Sequence, residues 1–262
     1  MYRALKRWAY WGLLALCFGW VLPVQAQDKA CAVVVMHGKW GNPEYISAFG
    51  RALEPVCVFK SIEMPWSKRR NYDQPYPVAL AQIAEQVKAF RAQGYQRVLV
   101  AGHSFGANAA LAYMAEVGDA DGVIALAPGH SPEFTYRRGL GKEAVDTARN
   151  WVDSGKGAEM LDMADMNQGK QQTISMGAAV LLSYFDPTGL GHMPFTASHF
   201  KKPVPFLWVI GTRDPLYAAG PAFAYNKAPA HPASQYLVVE ADHAGTPSVA
   251  AAQVLQWVKT LL

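Results

Sequence analysis

The 262-residue sequence predicts an α/β fold: a mostly parallel sheet of about six strands, flanked by helices and interrupted by one helical insertion. Three observations carry that expectation. Six short runs are apolar at consecutive positions, as strands buried on both faces require. Longer segments with apolar residues at helical spacing separate them. One stretch, 129–202, breaks the alternation.

The first 26 residues stand apart from the fold. Arg3, Lys6 and Arg7 make a basic start, an apolar run covers 8–22, and Pro23 ends it. Val24-Gln25-Ala26 then supplies small residues before a cut after Ala26, the order of a secretory signal peptide. An uncleaved anchor is the alternative, but the run is short of the roughly 20 residues that span a bilayer. Without Arg3, Lys6 and Arg7, the 24 basic residues become 21 against 20 acidic ones. The mature chain is therefore nearly neutral, and its charge argues for no nucleic-acid partner.

The strand-like runs are 31–36, 56–59, 98–101, 122–127, 204–210 and 236–239. Pro205 falls near the start of the fifth, where a strand tolerates it. Between the first two, Asn42-Pro43-Glu44 combines a cap, a first-turn proline and an early acid. Leu80, Ile83, Val87 and Phe90 share a helix face that Gly94 ends. Thr246-Pro247 caps a last helix with Val254, Val258 and Leu261 on one side. Cys31 and Cys57 each open a strand, and those strands are expected to be neighbours. Export favours a disulfide between them, closing a loop that would stabilise by roughly 3 kcal/mol. Two buried thiols are the alternative. The insertion has no clear strand-like run; segments 142–151 and 173–184 suit helices, and Met160, Met163, Met166 and Met176 read as packing residues.

Chemistry concentrates where the third strand ends. Gly102-His103-Ser104-Phe105-Gly106 follows four apolar residues and precedes an alanine-rich helical segment. This is G-x-S-x-G between strand and helix. The spacing has a physical basis. The serine occupies a sharp, strained turn, and the residues two away on either side pass too close to backbone for a Cβ. The turn lifts the hydroxyl off the sheet and aims a helix N-terminus at the reacting centre.

On this motif, and on His37-Gly38 ending the first strand, the chain resembles the α/β-hydrolase family over most of its length outside the insertion. The resemblance implies one α/β-hydrolase domain over 27–262, with 129–202 as a lid or cap over the site. It implies backbone N–H groups of Lys39 and Phe105 as the oxyanion hole, with Trp40 as the fallback for the first, and a loop-holding role for His37. The family's sheet usually has eight strands. Here only a few mature residues precede Cys31, so a six-stranded version is expected, with every catalytic strand retained.

The resemblance also implies a base after the last strand and an acid after the one before it, in the order Ser, Asp, His. His243, in Ala241-Asp242-His243-Ala244-Gly245, fits the base; Asp214, in Gly211-Thr212-Arg213-Asp214-Pro215, fits the acid. Asp242, Glu240 and Asp186 are rivals for the acid. The remaining histidines lie in the oxyanion loop, beside the serine, in the insertion, or at the wrong end of the last strand. Ser104, Asp214 and His243 thus form the expected catalytic set. No nicotinamide, nucleotide or metal motif occurs in a suitable setting, so no cofactor and no metal are expected.

The expected function is an exported, periplasmic or secreted serine hydrolase acting on a small or medium carboxylic ester. An acyltransferase using the same triad and a non-catalytic ligand-binding protein are the alternatives. Trp40, Trp66, Tyr72, Tyr76 and Phe105 are candidate site aromatics, with core packing the equal alternative. Asp162, Asp165, Asn167 and Gln168 read as a solvated helix face rather than as lid contacts. Arg137 and Arg138 are candidates to meet an acidic substrate.

Overall fold

The computed structural model describes residues 30–262; the expected leader lies outside them. From its start the chain runs β1 (Cys31–Met36), α1 (Pro43–Ala52), β2 (Cys57–Ile62), α2 (Tyr76–Ala92), β3 (Val98–His103), α3 (Phe105–Glu116) and β4 (Val123–Leu126). The insertion contributes α4 (Pro132–Arg137), α5 (Lys142–Asp153), β5 (Met160–Asn167), β6 (Lys170–Gly177), α6 (Ala178–Phe185) and α7 (Met193–Ser198). It returns to β7 (Phe206–Gly211), β8 (Gln235–Val239) and α8 (Thr246–Lys259).

Six strands pair in parallel in the order β2-β1-β3-β4-β7-β8. The expected six-stranded parallel sheet is present. Alternate residues of β1 feed two cores. Ala32, Val34 and Met36 join α2 and α3 on one face; Cys31, Val33 and Val35 join α1 and α8 on the other. That two-sided burial is why β1, β3, β4 and β7 are apolar at nearly every position. β8 lies at the edge and is only partly covered. Cys31 and Cys57 face each other across β1 and β2, Cα atoms 4.4 Å apart, and are disulfide-bonded.

Local signals act as their chemistry dictates. The Asn42 side chain accepts from the Tyr45 amide at 3.0 Å, and Pro43 opens α1. Thr246 sits one residue inside α8 rather than at its cap, and its hydroxyl donates to Asp242 O.

The insertion differs from expectation. It is not wholly helical: β5 and β6 form an antiparallel hairpin covering 160–167 and 170–177. Of the expected helix at 173–184, only 178–184 is helical, within α6. The three-residue spacing of Met160, Met163 and Met166 suits a helix. The buried positions instead alternate, Met163 with Asp165 on one strand and Ile174 with Met176 on the other. Gln168 and Gly169, both at positive φ (49° and 77°), close the hairpin in a two-residue turn.

Candidate active site

The loops that follow β1, β3, β7 and β8 leave the sheet at the same edge, where parallel sheets place their ligands. Ser104, after β3, has φ 56° and ψ −115°. A Cβ on Gly102 would run into the Gly106 carbonyl group, and one on Gly106 into Met36 O. Glycine is therefore required at both places, because the elbow lies directly against its own helix and the end of β1. The Ser104 carbonyl accepts from the amides of Ala107, Asn108 and Gly129, which holds the turn.

His243 and Asp214 meet. Nδ1 of His243 lies 2.6 Å from Oδ2 of Asp214, and Oδ1 of Asp214 accepts from the Leu216 amide at 2.8 Å. The Asp214 side chain is buried, so its geometry is fixed. With Nδ1–H donating to the carboxylate, Nε2 of neutral His243 is left as the acceptor. Ser104 and His243 converge at Gly129: a Cβ there would lie 2.7 Å from Ser104 Oγ and 3.4 Å from His243 Cε1. The rival acids are occupied elsewhere. Asp242 caps the Gly245 amide, Glu240 lies exposed beside Arg213, and Asp186 pairs with Arg149.

The loop after β1 is fixed from several sides. His37 Nδ1 donates to Gly38 O at 2.8 Å, and Gly41 N to the same oxygen at 3.0 Å. These two bonds set the peptide plane that carries the Lys39 N–H. His37 Nε2 accepts from Met64 N, and burial lowers its pKa, so it stays neutral. The Trp40 amide donates to Trp66 O, whereas the Lys39 amide has no partner among the described residues. Phe105 opens α3, so its amide is free of intrahelical bonding.

A cavity of about 670 Å³ opens above Ser104 and His243. Lys39, His130, Met163, Met166 and Phe185 are among its walls, and Arg138 stands at its lining. Trp66, Tyr72, Tyr76 and Phe105 do not line it; they stack underneath, Trp66 on Phe105 with centroids 4.5 Å apart. Arg137 turns away onto Phe134. His130 lies on Phe105 at 3.8 Å, and burial with the nearby Lys39 charge holds its pKa well below the usual value. His103 lies behind the site, its Nε2 donating to His243 O, and burial pushes its pKa to about 4. Neither therefore competes as a base.

Asp165 overturns its reading as part of a solvated face. It is 1% exposed and accepts from Lys39 Nζ (2.5 Å), Trp40 Nε1 (3.1 Å), Tyr72 Oη (3.0 Å) and Met166 N (2.9 Å). Asn167 donates to Lys39 O at 3.1 Å. Asp162 and Gln168 remain exposed. Inward Met163 and Asp165, two residues apart, were the available signal, and the reading of the insertion as helical passed over it. Among the described residues no group of three or more His, Cys, Asp or Glu side chains is placed to hold a metal ion.

The sequence profile of the alpha/beta hydrolase family matches residues 33–257. No curated protein matches the sequence. Among solved structures the chain is similar to Est1E from Butyrivibrio proteoclasticus with ferulic acid bound, at 18% identity and TM-score 0.63, covering 91% of this chain and 92% of that one. It is also similar to a thermostable carboxyl esterase from Bacillus coagulans, at 14% identity, TM-score 0.62 and 90% coverage of both chains. A monoacylglycerol lipase from Paleococcus ferrophilus aligns at 15% identity and TM-score 0.59, over 87% of this chain and 94% of its own.

Proposed function

Because this chain belongs to the alpha/beta hydrolase family, we propose that it is a serine hydrolase cleaving a small or medium carboxylic ester with Ser104, His243 and Asp214. The observation that carries the reading is the buried Asp214 bonded to His243 Nδ1, with that imidazole and the Ser104 hydroxyl converging on Gly129. Esterases and a lipase among the similar folds support the same reaction class.

The chemistry follows from these positions. His243 Nε2 accepts the Ser104 proton as Oγ attacks the ester carbonyl. Asp214 holds the tautomer and stabilises the imidazolium. The Lys39 and Phe105 amides stabilise the oxyanion; the engaged Trp40 amide is why Lys39 takes this role. The protonated imidazole then gives its proton to the departing alcohol, and water hydrolyses the acyl-enzyme with His243 again as base. The insertion covers the cavity as a cap. Export by the leader is part of the same reading, supported by the Cys31–Cys57 disulfide, a bond that persists in oxidising compartments.

The test is intact-mass analysis after a fluorophosphonate probe, on the mature protein and on Ser104→Ala. The expected result is one adduct on the wild type and none on the variant, with kcat on p-nitrophenyl esters lowered at least about 10⁴-fold. A folded wild type that takes no adduct, or a variant keeping a tenth of the activity, overturns the assignment.

A further inference from the structure

The insertion does more than roof the cavity. Asp165 brings a full charge into a buried setting, which is unfavourable unless donors surround it. Four do, and three of them come from outside the hairpin: Lys39 and Trp40 on the loop after β1, and Tyr72 on the segment after β2. Lys39 Nζ also donates to Met166 O at 3.1 Å, and Asn167 holds Lys39 O. The hairpin therefore grips Lys39 by its side chain and its carbonyl, and grips Trp40 by its indole.

The gripped residues surround one amide. The Lys39 N–H lies between the Gly38 carbonyl, fixed by His37 and Gly41, and the Lys39 carbonyl, fixed by Asn167. Trp40 next to it is held at φ 56°, a conformation that a loop without such restraints rarely keeps. We infer that Asp165 and Asn167 are positioning residues for catalysis: the hairpin at 160–177 is a fixed roof whose bonds to Lys39 and Trp40 aim the Lys39 amide at the developing oxyanion. The inference rests on the proposed hydrolase reading. It makes the insertion part of the oxyanion hole, not a flap that swings clear of it.

The experiment compares wild type with Asp165→Asn and Asn167→Ala, in the full mature chain. It measures kcat and KM on a p-nitrophenyl ester, Ki for a trifluoromethyl ketone that forms a tetrahedral oxyanion on serine, and the melting temperature. Asn167 is half-buried and makes one bond to the loop, so its variant serves if Asp165→Asn does not fold. The expected result is a fall in kcat of about ten- to a hundred-fold with KM held within about twofold, since a misplaced donor weakens the transition state selectively. The ketone Ki should rise by the same factor as kcat/KM falls. A lower melting temperature with kcat and Ki unchanged reduces the hairpin bonds to structure alone and overturns the inference. So does a rise in KM at constant kcat. A wild type with neither turnover nor fluorophosphonate adduct is a different failure: it removes the hydrolase reading and this inference with it.

Discussion

At the scale of single residues, the absence of an atom on Gly129 is as informative as any side chain in the site. A methyl group there would approach Ser104 Oγ to 2.7 Å, well inside contact distance, while His243 Cε1 at 3.4 Å leaves the ring almost undisturbed. Gly129 φ lies outside the left-handed region, so alanine meets no backbone penalty. The hydroxyl would have to turn away, and it would turn from the position between base and cavity. Gly129→Ala should therefore cut the rate of fluorophosphonate labelling at least about tenfold while the melting temperature moves little. Labelling at the wild-type rate would mean that the Ser104 rotamer is not limiting. Ala127 and His130, close by, have φ 41° and 65°. Together with Ser104 and Trp40 they gather backbone strain at the ends of β1, β3 and β4, where a rigid surround has to hold it.

Among the elements, α3 joins the two ends of the insertion to Ser104, the proposed nucleophile. Its residues are buried on every side because α2 and α7 cover the faces that the sheet does not. Asn108, fully buried, donates to His130 O at 2.8 Å and Gly191 O at 2.7 Å, and accepts from Tyr76 Oη at 2.5 Å. It ties the chain as it leaves β4 and as it approaches α7 to one turn of helix. Asn108→Ala leaves three buried groups without a partner and should cost about 3–5 kcal/mol, read as a lower urea midpoint, with faster proteolysis between 129 and 202. Unchanged stability would mean that water replaces the amide. The same elements mark where the sequence was legible. Ser104, His243 and Asp214 could be placed at one sheet edge because each comes within four residues after an apolar run, and strand ends in a parallel sheet are fixed in space by that burial. Asn108 and Asp165 could not. Apart from the Met166 amide beside Asp165, their partners lie 22 to 126 residues away, and no local period encodes such pairs. The hairpin was missed for a related reason: its strands are half-exposed and carry a polar residue at an inward position, so no apolar run marks them.

For the molecule as a whole, stability must depend on pH through groups that burial keeps uncharged. His103 has a pKa of about 4 when folded and near 6.5 when unfolded. Below 6.5 the unfolded chain takes up the proton first, so folding loses about 3 kcal/mol as pH falls to 4. His37 and His130 are lowered by the same cause and add in the same direction. Glu133 opposes them. Burial raises its carboxyl to about 7, and neither oxygen has a hydrogen-bond partner among the described residues. The folded state then holds a proton that the unfolded chain releases above about 4.5, so this group costs stability as pH rises towards 7, by about 3 kcal/mol. His103 and Glu133 nearly cancel, which leaves His37, His130 and His192, whose pKa burial also lowers, to decide the sign. The urea midpoint should therefore rise from pH 5 to pH 7. Two variants separate the contributions. Glu133→Gln titrates in neither state and should steepen the rise. His103→Asn keeps a donor for the His243 carbonyl but no ionisable ring, and should flatten it. A midpoint that falls from pH 5 to pH 7 in the wild type, and still falls in Glu133→Gln, would mean that the buried histidines carry protons in the folded protein.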